Sequence, residues 1–373
     1  MDVAFQGTID YGGHGRVTIE LTRELAQLCD RVTIYPTVVS IDDPTSHKWW
    51  KDVPSNVTVA SKKGLLDGYL RDVTAFPEHD VVHINYGVLG WPAVISKYTG
   101  DTPFVFTAHG IGEPREMVSG IKTQLKWWTS LKLFLPIVAR FGEFATVSDY
   151  NRRRLREEHG LNATVIPHGI RPERFASISP GNVREEHGIE PDADVLLFVG
   201  RFHKYKDIDT LLEGYKIVSD EYRGNVELVL LGGGKNGDEI QSKIQRVGLS
   251  DSVTRITDAD DDVLAKFYGD ATLLAFPSYG ERFGLVFLEA MAAQLPIVYV
   301  TSGSAPEVVD GAGMATKPKD PKSFSEGILT LLEDEERLAE LEQQCESRVA
   351  EFTWERAARE YVGLYRKAIR GNR

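Results

Sequence analysis

Short apolar runs alternate with longer amphipathic segments along most of the chain. Runs at residues 3–5, 32–35, 57–60, 81–84, 104–107, 144–147 and 164–166 predict short buried strands. Between the first two, Val17, Leu21, Leu25 and Leu28 recur at spacings of three and four, the period of a helix with one buried face. That rhythm predicts a parallel sheet covered on both faces. It breaks between Pro167 and Asp194, where Pro167, Pro172, Pro180 and Pro191 stand without a long apolar run. It then resumes, with strands predicted at 195–199, 226–231, 253–256, 273–276 and 297–300. Helices are predicted to start near Asp207, Asp238, Asp260 and Gly284. From Trp354 on, Ala357, Tyr361, Leu364, Tyr365 and Ala368 mark one side of a further helix. The fold class is therefore α/β: two Rossmann-like doubly wound parallel-sheet domains over 1–170 and 171–352, then a helix in 353–373. Ligands of open parallel sheets bind outside the carboxyl ends of the strands. Two such domains are expected to face each other across a ligand cleft.

Composition narrows the class. With 373 residues, 42% hydrophobic and 26% charged, the chain has enough apolar surface for two cores, and wholesale disorder is excluded. The 43 Lys and Arg against 55 Asp and Glu give a net charge of −12, so no nucleic-acid partner is expected. Cys29 and Cys345 have neither metal nor redox spacing, which points to reduced thiols and a cytoplasmic setting. Met1 leads directly into the first strand, without the pattern of a targeting segment. No stretch approaches the roughly 20 apolar residues of a membrane span. A soluble chain, at most attached to a membrane surface, is the expectation.

Four segments just after strands carry candidate chemistry. Gly12-Gly13-His14-Gly15 opens the first helix. Glycines there let backbone amides approach an anion, and the helix N-terminus adds positive potential. The spacing is neither a dinucleotide fingerprint nor a P-loop, and a tight turn is the alternative. In the second segment, residues 199–207, Arg201 and Lys206 suit a diphosphate, the first in bidentate fashion and the second as a point charge. A solvated basic loop is the alternative. Asp207 reads as the N-cap of the helix that follows. The third segment, 276–292, runs from a strand end through Glu281 to a helix starting near Gly284. That helix sets Glu289 among apolar residues, and a buried carboxylate needs a partner: a cis-diol such as a ribose, or a structural hydrogen bond. The amides of Phe283, Gly284 and Leu285 are donors at a helix start, available to phosphate or sugar oxygens. In the fourth, Thr107-Ala108-His109-Gly110, His109 stands at a strand end. It can donate to a sugar hydroxyl or tune a reacting centre, or serve structure alone.

Together these segments resemble the family 4 retaining glycosyltransferases of the GT-B fold. Residues 277–296 resemble the family's PS…E-G-FG…EA-A-G-P signature, with its Glu-x7-Glu pair as Glu281 and Glu289. Residues 199–215 resemble its VGR…K-G-DTL-EA segment. Ile166-Pro167-His168-Gly169-Ile170, followed by Phe175, resembles its IPNGV…F hinge. Val147-Ser148 matches the VS before a helix. Phe352-Thr353-Trp354-Glu355 matches the final helix, which in the family crosses back to the first domain. Three positions depart: His168 for the usual Asn, Gln294 for Gly and Arg282 for Gly.

The resemblance implies transfer of a sugar from a nucleotide diphosphate sugar to an acceptor hydroxyl, with retention at the anomeric carbon, by a hexosyltransferase-type enzyme. The first domain is then the acceptor side and the second binds the nucleotide sugar. Gly12 and Gly13 approach the diphosphate, and Arg201 and Lys206 neutralise the charge growing on it as it leaves. Glu289 holds the ribose. Glu281, Phe283, Gly284 and Leu285 hold the transferred sugar, and His109 meets it from the other domain. His109 and Glu281 are the candidate catalytic residues. No metal and no cofactor is implied, since cations and helix N-termini supply the positive field. The alternatives are an epimerase or phosphorylase on the same fold, or a nucleotide-sugar binder without catalysis.

The acceptor leaves a fainter trace. Residues 120–140 mix Trp127 and Trp128 with aliphatics and Lys122, Lys126 and Lys132, and Arg152, Arg153, Arg154 and Arg156 follow. Such a mixture suits the interface of an anionic membrane, hence peripheral docking through 120–156 and a lipid-linked acceptor. A buried helix of the first domain is the competing reading.

Overall fold

The computed structural model describes residues 1–9, 12–39, 50–60, 76–85, 101–110, 142–176, 178–179, 181–234, 237–257 and 259–372. The chain divides into two units, Met1–Gly169 together with Thr353–Arg373, and Ile170–Phe352. In the first, seven parallel strands form one sheet: β1 (Asp2–Ile9), β2 (Arg31–Val39), β3 (Val57–Val59), β4 (Val81–Ile84), β5 (Phe104–Ala108), β6 (Gly142–Thr146) and β7 (Thr164–Val165). Their order is β3-β2-β1-β4-β5-β6-β7. Val3, Ile34, Val82, Ile84 and Val105 are wholly buried, as strands covered on both faces require. Helix α1 (Gly13–Leu28) buries Val17, Leu21 and Leu25, and α2 (Asp149–His159) follows β6.

The C-terminal helix, Trp354–Gly371, packs on this first unit, against α1 and strands β4 to β6. Its buried face comprises Trp354, Ala357, Ala358, Tyr361, Val362, Leu364, Tyr365 and Ala368. Polar groups register it as well. His83 of β4 lies 2.7 Å by Nδ1 from the Tyr365 hydroxyl and 2.7 Å by Nε2 from the Thr107 hydroxyl. The Thr107 hydroxyl is in turn 2.9 Å from that of Tyr361.

The second unit has six parallel strands: β8 (Asp194–Val199), β9 (Val226–Leu231), β10 (Val253–Ile256), β11 (Leu273–Phe276), β12 (Ile297–Val300) and β13 (Gly313–Thr316). Their order is β10-β9-β8-β11-β12-β13. Helix α3 (Ile208–Glu221) follows β8, and α4 (Leu285–Ala292) follows β11. Phe198 and Phe276 stack at 5.3 Å, and Phe287 of α4 meets Phe276 edge-on at 5.2 Å. This aromatic column fixes where the ends of β8 and β11 stand. Elements beyond the sequence expectation include β13 and the helices Pro321–Glu333 and Glu335–Val349. Among the described residues no helix is long and apolar enough to cross a membrane.

Candidate functional site

Each sheet reverses its strand order at one pair, β1 with β4 in the first unit and β8 with β11 in the second. The crevice at that switch point is where open α/β sheets take ligands. Within each unit the residues expected from sequence gather at this edge.

In the second unit, the loop after β8 and the loop after β11 are clasped together. Tyr279 donates its amide to the Tyr205 carbonyl at 3.0 Å, and the Ser278 hydroxyl lies 3.1 Å from the same oxygen. The clasp brings Lys206 to Glu281: Nζ donates to Oε1 at 2.5 Å, with about a tenth of either side chain exposed. Ser278 Oγ is 2.9 Å from the same carboxylate oxygen. Lys206 Nζ also stands 4.4 Å above the Phe276 ring, a cation–π contact at the head of the aromatic column. Lys206 and Arg201 are thus not equivalent: Arg201 is exposed, while Lys206 is buried and already matched by a carboxylate. His203, between them, is held below the ordinary histidine value by burial first and then by the charges of Arg201 and Lys206.

Beyond Glu281 the backbone turns sharply. Gly303 (φ +66°) lies so near that a Cβ there would fall 2.5 Å from the Glu281 carbonyl oxygen. Gly284 is the N-cap of α4 at φ +85°, and a Cβ would collide with the Phe287 ring at 2.6 Å. Glycine is required at both positions. No side chain caps α4, nor α1 at Gly12, whereas Ser148, Asp260, Asp320, Asp334 and Thr353 all cap their helices. A helix start without a side-chain cap, such as that of α4, suits an acceptor from outside the helix. Phe283 is buried with its ring edge-on to Phe352 at 5.9 Å, so its side chain is engaged in packing. Leu285 begins α4 itself. Glu289, one turn further, is buried and accepts from the Tyr268 hydroxyl at 2.9 Å, a structural partner for that carboxylate. Asp207 does precede α3, but in a left-handed conformation (φ +53°) without a capping bond. Its carboxylate accepts instead from the Thr210 hydroxyl at 2.8 Å.

In the first unit, Gly12 and Gly13 follow β1, and His109 follows β5. His109 is tied on both ring nitrogens. Nε2 lies 2.9 Å from Asn85 Oδ1 and Nδ1 lies 3.2 Å from His168 Nε2. Since Asn85 Oδ1 can only accept, Nε2 carries the hydrogen, Nδ1 of the neutral ring accepts, and His168 Nε2 donates. The His109 and His168 rings stack at 5.1 Å and 24°, and His14 meets His109 edge-on at 5.3 Å. Burial, then the imidazoles of His168, His14 and His83, hold His109 well below the ordinary histidine value. Among the described residues no group of three or more His, Cys, Asp or Glu is arranged to hold a metal ion.

Asn85, Ser278 and Tyr268 are the site residues that sequence reasoning passed over. Asn85 directly follows a predicted strand, and Ser278 lies within the quoted PS signature, so a strand-end rule would have marked both. Tyr268 has no such signal. The Trp- and Lys-bearing stretch 120–140 lies outside the described residues. Of the arginines after it, Arg152 pairs with Asp149 at 2.5 Å and Arg154 with Glu158 at 2.6 Å, while Arg152, Arg153 and Arg156 are exposed on α2.

Residues 181–348 match the family model of the glycosyl transferases group 1, and residues 11–174 that of Glycosyltransferase Family 4. A D-inositol 3-phosphate glycosyltransferase of Catenulispora acidiphila is 27% identical, over 97% of this chain and 92% of its own. One from Segniliparus rotundus is also 27% identical, over 98% and 86%. Among solved structures, sucrose-phosphate synthase from Thermosynechococcus elongatus superposes with a TM-score of 0.82 at 23% identity, covering both chains fully. Anabaena HepE in complex with UDP and glucose gives 0.81 at 20% identity, over 97% of this chain and 98% of that one. These likenesses establish two parallel-sheet Rossmann-like domains of the GT-B type.

Proposed function

The chain belongs to the family 4 glycosyltransferases, and from that premise we propose that it moves a sugar from a nucleotide diphosphate sugar to an acceptor hydroxyl, with retention and without a metal ion. The observation that carries this reading is the Lys206–Glu281 pair, buried at the β8/β11 switch point beside a positive loop and the uncapped start of α4. A diphosphate arriving there meets Arg201 in the open and the α4 amides, and Lys206 turns from one anion to share a second. Charge grows on the leaving diphosphate as the glycosidic bond breaks, so cations fixed beforehand favour the transition state over the ground state. Glu281 then lies next to the transferred sugar through the same lysine, Glu289 serves the ribose, and the first amides of α1 approach the phosphates. The HepE complexes with UDP and glucose favour a UDP-sugar donor. The inositol-phosphate relatives favour a phosphorylated polyol or sugar as acceptor. A lipid-linked acceptor, with peripheral docking of a cytoplasmic enzyme through 120–156, is the further reading that the exposed arginines of α2 support.

A thermal-shift panel of nucleotide sugars tests the donor, since a ligand bound by the folded state alone raises the midpoint. The expected result is a shift with one class of nucleotide diphosphate sugar, lost in Lys206→Ala and Arg201→Ala. NMR of the product should show the donor's anomeric configuration. No shift with any nucleotide sugar, or an inverted product, overturns the reading. Donor consumed or isomerised without transfer would favour the epimerase instead. Sedimentation with anionic vesicles at low salt tests the membrane arm, and absence of binding removes it.

A further inference from the structure

We propose that His168 is a positioning residue that fixes the tautomer and ring plane of His109. The inference rests on the reading of His109 as the sugar contact. Its basis is a relay within the first unit. Asn85 takes the hydrogen of His109 Nε2, and His168 supplies one to Nδ1. Stacking at 5.1 Å holds the two planes within 24° of each other, and Trp354 of the C-terminal helix flanks His168 at 5.7 Å. His109 therefore cannot turn about its Cβ–Cγ bond without breaking two hydrogen bonds and a stack. It presents a hydrogen, not a lone pair, at Nε2. A sugar hydroxyl that replaces Asn85 as acceptor finds that donor already oriented, while the longer 3.2 Å bond behind it stays made.

The groups facing His109 are His14 on α1, Asn85 and His83 at β4, and His168 itself. Apart from Asn85 these are imidazoles rather than carboxylates, so the surroundings give no help to a cationic ring. Removing His168 takes away the hydrogen donor to the Nδ1 lone pair and one neighbouring imidazole, and both changes ease protonation of His109. An Asn in its place, usual in the family, is shorter and has no ring to stack.

The test uses the full-length protein and three substitutions. His168→Phe keeps a stacking ring without donors, and His168→Gln puts an amide nitrogen near the position of Nε2. Long-range proton–nitrogen NMR should find wild-type His109 neutral, as the Nε2–H tautomer, from pH 5 to 8. In His168→Phe its titration should move up by roughly one pH unit or more. His168→Gln should restore the wild-type behaviour. In turnover, His168→Phe should lower kcat roughly tenfold at nearly constant donor KM and move the acid limb upward, with rescue by Gln. Unchanged tautomer and titration in His168→Phe, or a Gln variant that behaves like Phe, overturns the proposal. His109→Ala separates the two levels. Lost turnover there with an unaffected His168→Phe overturns the positioning role alone, and full turnover overturns both.

Discussion

Lys206 and Glu281 hold each other's charge in a place water barely reaches. Removing one partner leaves the other ionised and unmatched. Lys206→Ala should therefore cost about 3–5 kcal/mol of stability, with the Lys206→Ala/Glu281→Ala double variant recovering part of it. Guanidinium denaturation of the four proteins in that cycle measures the coupling. Gln294 offers the opposite case. It stands at φ +58°, in the left-handed region, with only an exposed 3.2 Å bond from its side chain to Glu346. Gln294→Gly should raise stability by about 1 kcal/mol despite the entropy of the unfolded glycine, read as a higher urea midpoint. A lower midpoint would show that the Glu346 bond outweighs the strain. These cases also mark what sequence can carry at this scale. Residue type and strand-end position were enough to single out Arg201, Lys206, Glu281 and His109. The pairings were not legible, because Lys206 meets Glu281 across 75 positions and His109 meets His168 across 59. Only the folded sheet brings such residues together. The same limit applies to Glu289, whose apolar setting was plain but whose partner Tyr268 was not.

At the level of elements, the C-terminal helix is keyed to the first sheet by Tyr361 and Tyr365 as well as by its apolar face. Tyr365→Phe keeps the ring and leaves His83 Nδ1 buried without that partner. A loss of about 1–3 kcal/mol is expected, with faster hydrogen exchange in β4 and β5. Unchanged exchange would mean that packing alone seats the helix. Strands such as β9, β11 and β12 were readable because parallel strands buried on both faces spell continuous apolar runs. The edge strand β13, Gly-Met-Ala-Thr, has no such run and takes its conformation from pairing with β12. Pro321–Glu333 is not assigned from sequence, although its Asp320 cap, its leading proline and the Phe324-Ile328-Leu331 spacing carry a helix signal. Asp207 lies where its helix starts but caps nothing, since composition marks a boundary without fixing the dihedral angles that make a capping bond.

Over the whole molecule, buried histidines set the response to acid. Burial holds His83 at about 3, and burial followed by the His14 charge holds His168 at about 3, against 6.5 when unfolded. Above pH 6.5 both states are neutral and these groups contribute nothing. As pH falls from 6.5 toward 3, the unfolded chain binds protons that the folded chain refuses, so stability declines. At pH 5 the loss is on the order of 2 kcal/mol per histidine. Tm should fall between pH 7.5 and 5, and His83→Asn should flatten that slope. A Tm independent of pH over this range would contradict the neutral burial of both rings. One topological fact reaches beyond stability. The first unit is made of two pieces of chain separated by the whole of the second, and its closing piece, Thr353–Arg373, is synthesised only after the second unit. A ribosome thus delivers the middle unit in full while the opening sheet still lacks its cover over β4 to β6. Until that piece emerges, the bare apolar face is a natural client surface for chaperones, and nonsense mutations between positions 353 and 373 should lower soluble yield far more than the length they remove suggests.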